Sequence, residues 1–381
     1  MSLHRLKIAL LMVWLVFLAS CATPFQPPTV VKGSSDFPGL VQLLKESNNQ
    51  PIDVILVHGM CTTTAQWPIS VMRNISSAVD ANVSIPSLDS VVANAKTNQI
   101  QVVTGQGETA GGIIRFTGLV WSPLVKDLKD QLQYDMTGNE SDCKVSEECK
   151  PKRAWGNGKV KDSLLNDCLA DALAYQGIGR VTFRAAMVKA LTQVVQQASD
   201  SSGPIVVISA SLGSKMVFDA LTDMLQPTQD RAQTLVANSI QSRLAVMFMA
   251  ANQLPILGLA DQDLVSTKSG IIEDNKSDWD SLKRFLKARQ SHAAESVRIA
   301  GESFTRLSVV AFTDPNDLLS YRLLPSRYKL EQVDVADILV SNRQTYFGLL
   351  ENPLTAHSTY LQNQDVVRFI ACGNPTSGLC K

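Results

Sequence analysis

Two short, nearly uninterrupted apolar runs constrain the fold of this chain more than any other feature. Ile52–Val57 (IDVILV) and residues 204–208 (PIVVI) are rich in β-branched residues, and a loop or turn leads from each into a helical pattern. A strand that is half exposed alternates apolar with polar residues, whereas a strand buried on both faces reads as a continuous apolar run. The two runs therefore predict neighbouring strands of a parallel sheet with helices on both faces.

The rest of the chain continues this alternation of strand and helix patterns. Further strands are predicted at residues 99–104, 112–118, 243–250 and 307–312, and helices at residues 68–79, 184–198, 276–299 and 363–371. Strands that alternate with helices are typical of α/β folds with a mainly parallel central sheet.

Composition and charge narrow the function classes. Hydrophobic residues make up 45% of the chain and charged residues 18%, which is a globular composition. The 35 basic and 35 acidic residues cancel, so net charge does not favour nucleic acid or an anionic surface as the partner.

The first twenty residues have the pattern of a secretory signal. His4, Arg5 and Lys7 form a basic start, and the apolar run at residues 8–17 follows. That run is too short to span roughly 30 Å of hydrocarbon as a helix. Residues 1–20 are therefore interpreted as a signal peptide and excluded from the fold.

The end of this signal resembles a bacterial lipobox. Leu18-Ala19-Ser20-Cys21 has small residues before a cysteine whose sulfur takes a diacylglycerol in that motif. Because Ala22 rather than Asp follows, the resemblance implies an outer-membrane lipoprotein that faces the periplasm of a bacterial envelope. An ordinary signal peptide that ends near a cysteine is the alternative. Residues 21–45 are predicted to be the lipid anchor and a linker rich in Pro, Ser and Gly, and several acyl chains anchor a protein firmly.

The other cysteines predict disulfides. Six cysteines remain when Cys21 is set aside, and an exported protein folds in an oxidising compartment where disulfides form. Six cysteines allow fifteen pairings. Two pairs close short polar loops, and the third pair is left by elimination: Cys143 with Cys149, Cys372 with Cys380, and Cys61 with Cys168. A zinc site is the rival interpretation. It is disfavoured because no CxxC motif occurs, so no metal is expected.

One domain is predicted for residues 46–381, with an insertion at about 119–200. Within that insertion the polar stretch around Cys143 and Cys149 is long for a simple connection. Residues 119–200 and 255–300 are the two candidates for a lid over a site, because the segments around them are predicted strands of the sheet.

A serine lies at the turn after the second buried run. Ser209-Ala210-Ser211-Leu212-Gly213 joins that strand to a helix, where a sharp turn exposes a hydroxyl at the carboxyl edge of the sheet. The pattern is a relaxed G-x-S-x-G with Ser209 at the first glycine position. Most such strings are structural, but this position favours Ser211 as a nucleophile.

A serine nucleophile needs a base, and the chain has four histidines. His4 lies in the signal peptide, His292 in a charged helix, and His58 directly after the first buried run. His357 precedes the last predicted helix and is the predicted base. A loop histidine that is hydrogen-bonded for structural reasons is the alternative.

Two aspartates compete for the role of the acid that orients the histidine. Asp314 and Asp317 both follow the strand at residues 307–312. Asp317 is favoured because two apolar residues follow it, while Asp314 is predicted to brace a turn built on Pro315.

Two backbone N–H groups are predicted to bind a developing oxyanion. Leu212 follows the candidate nucleophile at the start of a helix. His58-Gly59-Met60 is similar to the HG-x loop of lipases, in which the residue after the glycine supplies the second donor. Met60 is therefore the second predicted donor, and His58 is expected to brace the loop.

Together these motifs resemble the α/β-hydrolase superfamily, and more narrowly its bacterial lipase- and esterase-like members. The order Ser211, Asp317, His357 is the order of that superfamily, and the resemblance covers about residues 50–372. It implies an α/β-hydrolase fold with a cap or insertion, a serine hydrolase that cleaves carboxylic esters through an acyl-enzyme, and no cofactor. The expected partners are an ester or lipid substrate and a membrane reached through the lipid on Cys21. Because a fold does not determine a function, a catalytically silent lipoprotein that acts in binding or envelope assembly is the alternative.

Overall fold

A nine-stranded mixed sheet organises the molecule in the computed structural model. The structure describes residues 21–24, 26–93, 98–139, 149–198, 202–228, 230–262, 280–300, 306–346, 348–376, 378 and 380. Among these residues, no helix combines the length and the apolar character that crossing a bilayer requires.

The strands of the described residues belong to two sheets. β1 and β11 form a separate two-stranded ribbon in which Cys21 pairs with Tyr346, and the large sheet has the order β2-β10-β9-β8-β7-β3-β6-β5-β4. Their bounds are β1 Cys21–Pro24, β2 Thr29–Val30, β3 Ile52–Val57, β4 Asn82–Ser84, β5 Gln101–Thr109, β6 Gly112–Val120, β7 Ile205–Ala210, β8 Leu244–Ala250, β9 Leu307–Thr313, β10 Val333–Leu339 and β11 Gln344–Tyr346.

The six central strands of the large sheet, from β6 to β10, are parallel. At one edge β2 pairs antiparallel with β10, and at the other edge β5 and β4 continue antiparallel from β6. The predicted α/β class with a mainly parallel sheet is therefore confirmed. β3 and β7, the two apolar runs that carried the prediction, are neighbours at the centre of the sheet.

Helices cover both faces of the sheet. Their bounds are α1 Leu40–Glu46, α2 Gln66–Ala78, α3 Leu88–Ala93, α4 Lys126–Asp130, α5 Trp155–Lys159, α6 Ala170–Gln176, α7 Arg180–Gln197, α8 Leu212–Met224, α9 Arg231–Arg243, α10 Leu254–Leu257, α11 Ser281–Ala300, α12 Pro353–Ser358 and α13 Gln364–Cys372. A π-helical segment, Val160–Leu169, connects α5 to α6.

Alternation along each central strand divides the buried apolar side chains into two cores. Val207 of β7 joins the core that contains α7, α8 and α11, whereas Val206 and Ile208 join the core that contains α1, α2 and α13. Successive side chains of a strand point to opposite faces, so a strand buried on both faces needs apolar residues at both kinds of position. This requirement explains the unbroken apolar run of β7.

The sequence patterns missed β10, the last parallel strand. Its sequence VDVADIL is interrupted by Asp334 and Asp337, which disguises a strand that is largely buried. Asp337 is fully buried and accepts hydrogen bonds from Arg322 and from the Leu323 N–H, while its own backbone N–H donates to Ser34. A polar residue in a buried strand is tolerated when its hydrogen bonds are satisfied, and sequence periodicity does not detect such partners.

Two of the three predicted disulfides lie within the described residues. Cys61 is bonded to Cys168, and Cys372 is bonded to Cys380. Cys149 is also disulfide-bonded, whereas Cys143, its predicted partner, lies outside the described residues.

Candidate active site

The predicted site residues meet at one edge of the sheet. Ser211 follows β7, the loop that begins at His58 follows β3, and Asp317 follows β9. His357 lies in α12, after β10 and the short strand β11. Because the carboxyl ends of parallel strands lie at the same edge, residues far apart in the chain come together there.

Ser211 occupies a strained turn between β7 and α8. Its backbone has φ 52° and ψ −127°, a conformation that a residue with a Cβ rarely adopts and that costs on the order of 1–3 kcal/mol. The Ser211 N–H donates a hydrogen bond to the Ala250 carbonyl over 2.8 Å, and the Ser214 N–H donates to the Ser211 carbonyl over 3.1 Å. These backbone bonds hold the turn on both sides of the serine.

The structure brings Ser211, His357 and Asp317 into one hydrogen-bonded series. His357 Nε2 lies 3.2 Å from Ser211 Oγ, and His357 Nδ1 lies 3.0 Å and 2.9 Å from the two carboxylate oxygens of Asp317. The Asp317 side chain is fully buried, and only 9% of the His357 side chain is exposed. Such a series can transfer a proton from the serine hydroxyl to the imidazole while the carboxylate stabilises the resulting imidazolium.

Hydrogen bonds from two further groups orient the Asp317 carboxylate. The Leu319 N–H and the Tyr360 hydroxyl each donate to it over 3.0 Å. Burial, together with the negative charge of Asp317, raises the pKa of Tyr360 well above its usual value. The Tyr360 hydroxyl therefore stays protonated and remains a donor.

Asp314, the alternative acid, turns away from the imidazole. Its carboxylate accepts hydrogen bonds from the backbone N–H groups of Asn316, over 2.9 Å, and Asn342, over 2.6 Å. Its own N–H donates to the Tyr360 hydroxyl oxygen over 2.7 Å. Asp314 thus braces the turn that carries Asp317, and of the two aspartates Asp317 lies within hydrogen-bonding distance of His357.

Sequence reasoning missed one acidic residue beside this series. Glu351 is buried, and its Oε2 accepts a hydrogen bond from the Asn316 side chain over 3.0 Å. Burial first, and then the negative charge of Asp314, raise the pKa of Glu351 to about 7. No motif surrounds Glu351 in the sequence, so only its position next to the 314–317 turn reveals it.

His58 braces the loop after β3. Its Nε2 accepts hydrogen bonds from the N–H groups of Trp121, over 2.9 Å, and Ser122, over 3.3 Å, and its Nδ1 lies 2.6 Å from the Gly59 carbonyl. The imidazole stacks on the Trp121 indole with 4.6 Å between ring centroids. Burial lowers the pKa of His58 to about 3, so the ring is neutral and both of its nitrogens are engaged in holding the loop.

Two glycines allow the His58 loop to touch the turn of Ser211. A Cβ on Gly59 would lie 2.7 Å from the Ser211 Cβ, and a Cβ on Gly213 would lie 2.2 Å from the His58 carbonyl oxygen. Real Cβ atoms do not approach other atoms so closely. Any side chain at either position would therefore push the two loops apart.

The two backbone N–H groups that follow Met60 in the chain donate hydrogen bonds to carboxylates. The Cys61 N–H donates to Asp171 Oδ2 over 2.7 Å, and the Thr62 N–H donates to the two Asp167 oxygens over 3.0 Å and 3.1 Å. Asp167 lies in the π-helical segment and Asp171 in α6, which follows it directly. The Cys61–Cys168 disulfide joins the π-helical segment to this loop.

Two backbone N–H groups beside Ser211 are available to a ligand. No hydrogen-bond partner for the Met60 N–H is found within the parts of the chain that the structure describes, although the Thr63 N–H, further along the loop, donates to Ser122 Oγ over 2.8 Å. Leu212 is the first residue of α8, and the first N–H groups of a helix have no intrahelical partner. They are the same two N–H groups for which the sequence predicts the role of oxyanion donors.

One group of side chains among the described residues has metal-like spacing. Ligand atoms of Cys61, Asp167 and Cys168 lie within 4.8 Å of one another. The two sulfurs form a disulfide, and a disulfide offers no thiolate to a metal ion. The chemistry of this group therefore does not fit a cation site.

A cavity of about 590 Å³ opens beside the same loop, between α4 and the π-helical segment. Its walls are mixed in chemistry, with hydroxyl, amide and charged groups. Its lining includes Thr62, Ser122, Lys129 and Asp167.

No family model and no curated protein matches this chain. The geometry of the site is therefore the basis for assigning a function to the chain.

Acidification is expected to destabilise the protein through His58. The pKa of His58 is about 3 in the folded chain and about 6.5 when unfolded, so below pH 6.5 the unfolded state takes up a proton that the folded state does not. Stability from the neutral ring is present above about pH 6.5 and is lost at about 1.4 kcal/mol per pH unit as the pH falls toward 3. In urea unfolding at about pH 7.5 and about pH 5, His58→Gln should reduce the difference between the two free energies by about 2 kcal/mol. An equal difference in both proteins would show that His58 is not neutral when folded.

Proposed function

We propose that this chain is a serine hydrolase of the α/β-hydrolase fold that cleaves carboxylic esters through an acyl-enzyme on Ser211. The observation that carries the proposal is the hydrogen-bonded series from Ser211 Oγ through His357 to the buried Asp317 carboxylate. A serine, an imidazole and a carboxylate in this series are the parts that activate a hydroxyl as a nucleophile.

The arrangement of the strands supports the proposed fold. Ser211 follows the central strand β7, Asp317 follows β9, and His357 comes after β10, so the chain order is nucleophile, acid, base. The strained turn at Ser211 lies between a strand and a helix, as in the nucleophile turn of α/β hydrolases. The turn geometry and the chain order are closer to those of the superfamily than the relaxed S-A-S-L-G motif is to its usual G-x-S-x-G.

The proposed reaction begins with attack on an ester carbonyl. Ser211 Oγ forms a bond to the carbonyl carbon while its proton passes to His357 Nε2, and the carbonyl π-electrons move to the oxygen. His357 becomes an imidazolium whose Nδ1–H donates to the Asp317 carboxylate. The negative charge that develops on the former carbonyl oxygen is stabilised by hydrogen-bond donors.

The N–H groups of Met60 and Leu212 would supply these donors. Leu212 is held by α8, and Met60 by the loop that His58 braces. Loss of one such donor typically costs about 2.7–4 kcal/mol of transition-state stabilisation. A backbone N–H that is left without a partner beside Ser211 is therefore expected to contribute to catalysis.

The second half of the reaction releases both products. His357 gives its proton to the leaving oxygen as the carbon–oxygen bond breaks, so the alcohol departs and an acyl ester remains on Ser211. His357 then takes a proton from water as the hydroxide attacks the acyl carbon. Collapse of that intermediate returns the proton to Ser211 Oγ and releases the carboxylic acid.

An apolar rim supports an ester with an apolar acyl group as the substrate. Leu318, directly after Asp317, is 70% exposed, and Leu349, eight residues before His357, is 86% exposed. The hydrogen bond between Asn316 and Glu351 joins the two loops that carry these leucines. A contiguous exposed apolar patch commonly marks a binding surface, and we propose that these two leucines form one beside the site.

The lipid that the motif at Cys21 predicts would lie beside this apolar rim. Cys21 pairs with Tyr346 in the β1–β11 ribbon, and the Leu349 N–H donates to the Tyr346 carbonyl over 2.9 Å. A diacylglycerol on Cys21 would therefore hold the apolar rim next to the outer membrane. This placement suits acyl esters and lipids as substrates.

Replacement of Ser211 by alanine should abolish both ester turnover and labelling by a fluorophosphonate probe, because among the described residues no other hydroxyl is hydrogen-bonded to the His357 ring. Ser214→Ala is the matched control: Ser214 is a buried serine whose hydroxyl bonds to Ser209 at 2.9 Å rather than to His357. The control should label and turn over substrate. Labelling of the Ser211→Ala variant would rule out Ser211 as the nucleophile, and a wild type that does not label would favour the catalytically silent lipoprotein.

Asparagine substitutions should separate the two acids. Asp317→Asn is expected to lower kcat on the order of 10³-fold to 10⁴-fold, because the amide no longer holds the imidazole in the reactive tautomer. Asp314→Asn removes only a brace of the turn and should cost less than about tenfold, or about 1.4 kcal/mol. The measurement is kcat per fluorophosphonate-titrated site, and equal losses in the two variants would contradict the assignment.

The apolar rim should confer a preference for longer acyl chains. Turnover of p-nitrophenyl esters is expected to rise from acetyl toward longer chains, and Leu318→Ser with Leu349→Ser should flatten the series by about tenfold at its long end, because each buried CH₂ contributes about 0.8 kcal/mol. Acetyl ester turnover serves as the internal control. A series that is already flat in the wild type would remove the support for lipid-like substrates.

A further inference from the structure

The loop that carries Met60 is attached to a second part of the molecule. Cys61, the next residue, is disulfide-bonded to Cys168 in the π-helical segment, and its backbone has φ +80°. A residue other than glycine seldom adopts this left-handed conformation unless its surroundings enforce it. The path of the chain on leaving Met60 therefore depends on what binds Cys61.

Asp171 binds the backbone of Cys61 directly. The Asp171 carboxylate is fully buried, and its Oδ2 accepts the Cys61 N–H over 2.7 Å. Its Oδ1 lies 3.1 Å from Lys129 Nζ. A buried carboxylate is costly unless a charge and hydrogen bonds compensate it, so Lys129 is the group that keeps Asp171 ionised at this position.

Lys129 also pairs with a second carboxylate on the same loop. Its Nζ lies 2.5 Å from Asp167 Oδ1, and Asp167 accepts both the N–H and the hydroxyl of Thr62. One ammonium thus compensates two carboxylates, and the carboxylates take two successive N–H groups of the loop. The N–H of Met60 directly precedes these two N–H groups in the chain.

This arrangement addresses a problem specific to Met60. Leu212, the other proposed oxyanion donor, belongs to α8 and is positioned by the hydrogen bonds of that helix. Met60 lies in irregular backbone, and the position of a catalytic donor matters to within a fraction of an ångström. External contacts must therefore supply the rigidity that a helix supplies to Leu212.

We infer that Asp171 is a positioning residue for the oxyanion site, which with Lys129 and the Cys61–Cys168 disulfide aims the Met60 N–H at the substrate. The inference rests on the hydrolase function proposed above, and it assigns a role to a segment that contributes none of the reacting groups.

The charge on Asp171 makes this role sensitive to pH. Burial raises the pKa of Asp171 to about 6, against the opposing effect of Lys129, and Asp167 adds a smaller raising effect. The charged and polar groups that face it are Lys129 of α4, Asp167 of the π-helical segment and the Cys61 N–H of the loop. Protonation below about pH 6 removes one of the two carboxylate charges that pair with Lys129 and weakens the hydrogen bond from the Cys61 N–H.

Asparagine at position 171 imitates the protonated carboxyl, which provides a sharp test. Asp171→Asn should lower kcat on the order of 10-fold to 100-fold at about pH 8, with KM changed less than about twofold, because the substitution disturbs a donor used in the transition state. As the pH falls below 6 the wild type also loses the charge, so the ratio of wild-type to variant kcat should shrink toward 1. A merely structural role would not produce this convergence.

The experiment counts active sites with a fluorophosphonate probe and reports kcat per labelled site on a p-nitrophenyl ester, using the wild-type chain and the Asp171→Asn variant. Asp127→Asn is the matched control, because Asp127 lies exposed on the same helix α4 as Lys129 and should leave kcat unchanged. A variant with fewer labelled sites but wild-type kcat per site, or with a ratio that does not depend on pH, would overturn the inference. A wild type without turnover would instead overturn the proposed hydrolase function.

Lys129→Met keeps the inference testable if Asp171→Asn does not fold. Removal of the ammonium withdraws the main effect that lowers the pKa of Asp171. The acid-side midpoint of kcat should therefore move to higher pH, and an unchanged midpoint would overturn the inference.

Discussion

The close packing of the Ser211 turn against the His58 loop is the constraint on which the rest of the site depends. At Gly59 and Gly213 a single added carbon would lie 2.7 Å and 2.2 Å from atoms of the opposite loop. β3 and β7 are neighbours in the sheet, so the two loops leave it side by side. Because the glycines allow contact, the strained serine, the first turn of α8 and the Met60 N–H converge on one small volume.

Burial of polar groups then stabilises what the sheet brings together. His58 is neutral and bonded through both ring nitrogens, and Asp317 accepts from a tyrosine that burial keeps protonated. Asp171 is buried against Lys129 at the other side of the His58 loop. In each case a buried polar group is tolerated because it is paired, and the loss of one partner would leave the other uncompensated in a medium of low dielectric constant. The same pairing that stabilises the loops makes their geometry precise.

Sequence reasoning located a residue in the fold where its position follows from the strand before it. β7 is apolar at every position except Ser209, so the serine after it could be placed at the edge of the sheet from periodicity alone. β10 escaped detection because Asp334 and Asp337 interrupt it, and Asp337 is satisfied by Arg322, which is adjacent only in space. Glu351 and Asp171 escaped for the same reason: each depends on partners from other elements, and no local pattern announces such partners.

By itself, the sequence determined the α/β class, because apolar periodicity predicts buried parallel strands. It also indicated that Ser211 and the aspartates at 314 and 317 lie at one edge of the sheet, because the carboxyl ends of parallel strands share an edge. Which of two aspartates three residues apart contacts His357 was decided only by the tertiary structure. There Asn342 bonds Asp314, Tyr360 bonds Asp317, and the 314–317 turn directs the second carboxylate at the imidazole. The physical reason is that the direction of a side chain in a tight turn depends on hydrogen bonds from distant segments, which spacing along the chain does not encode.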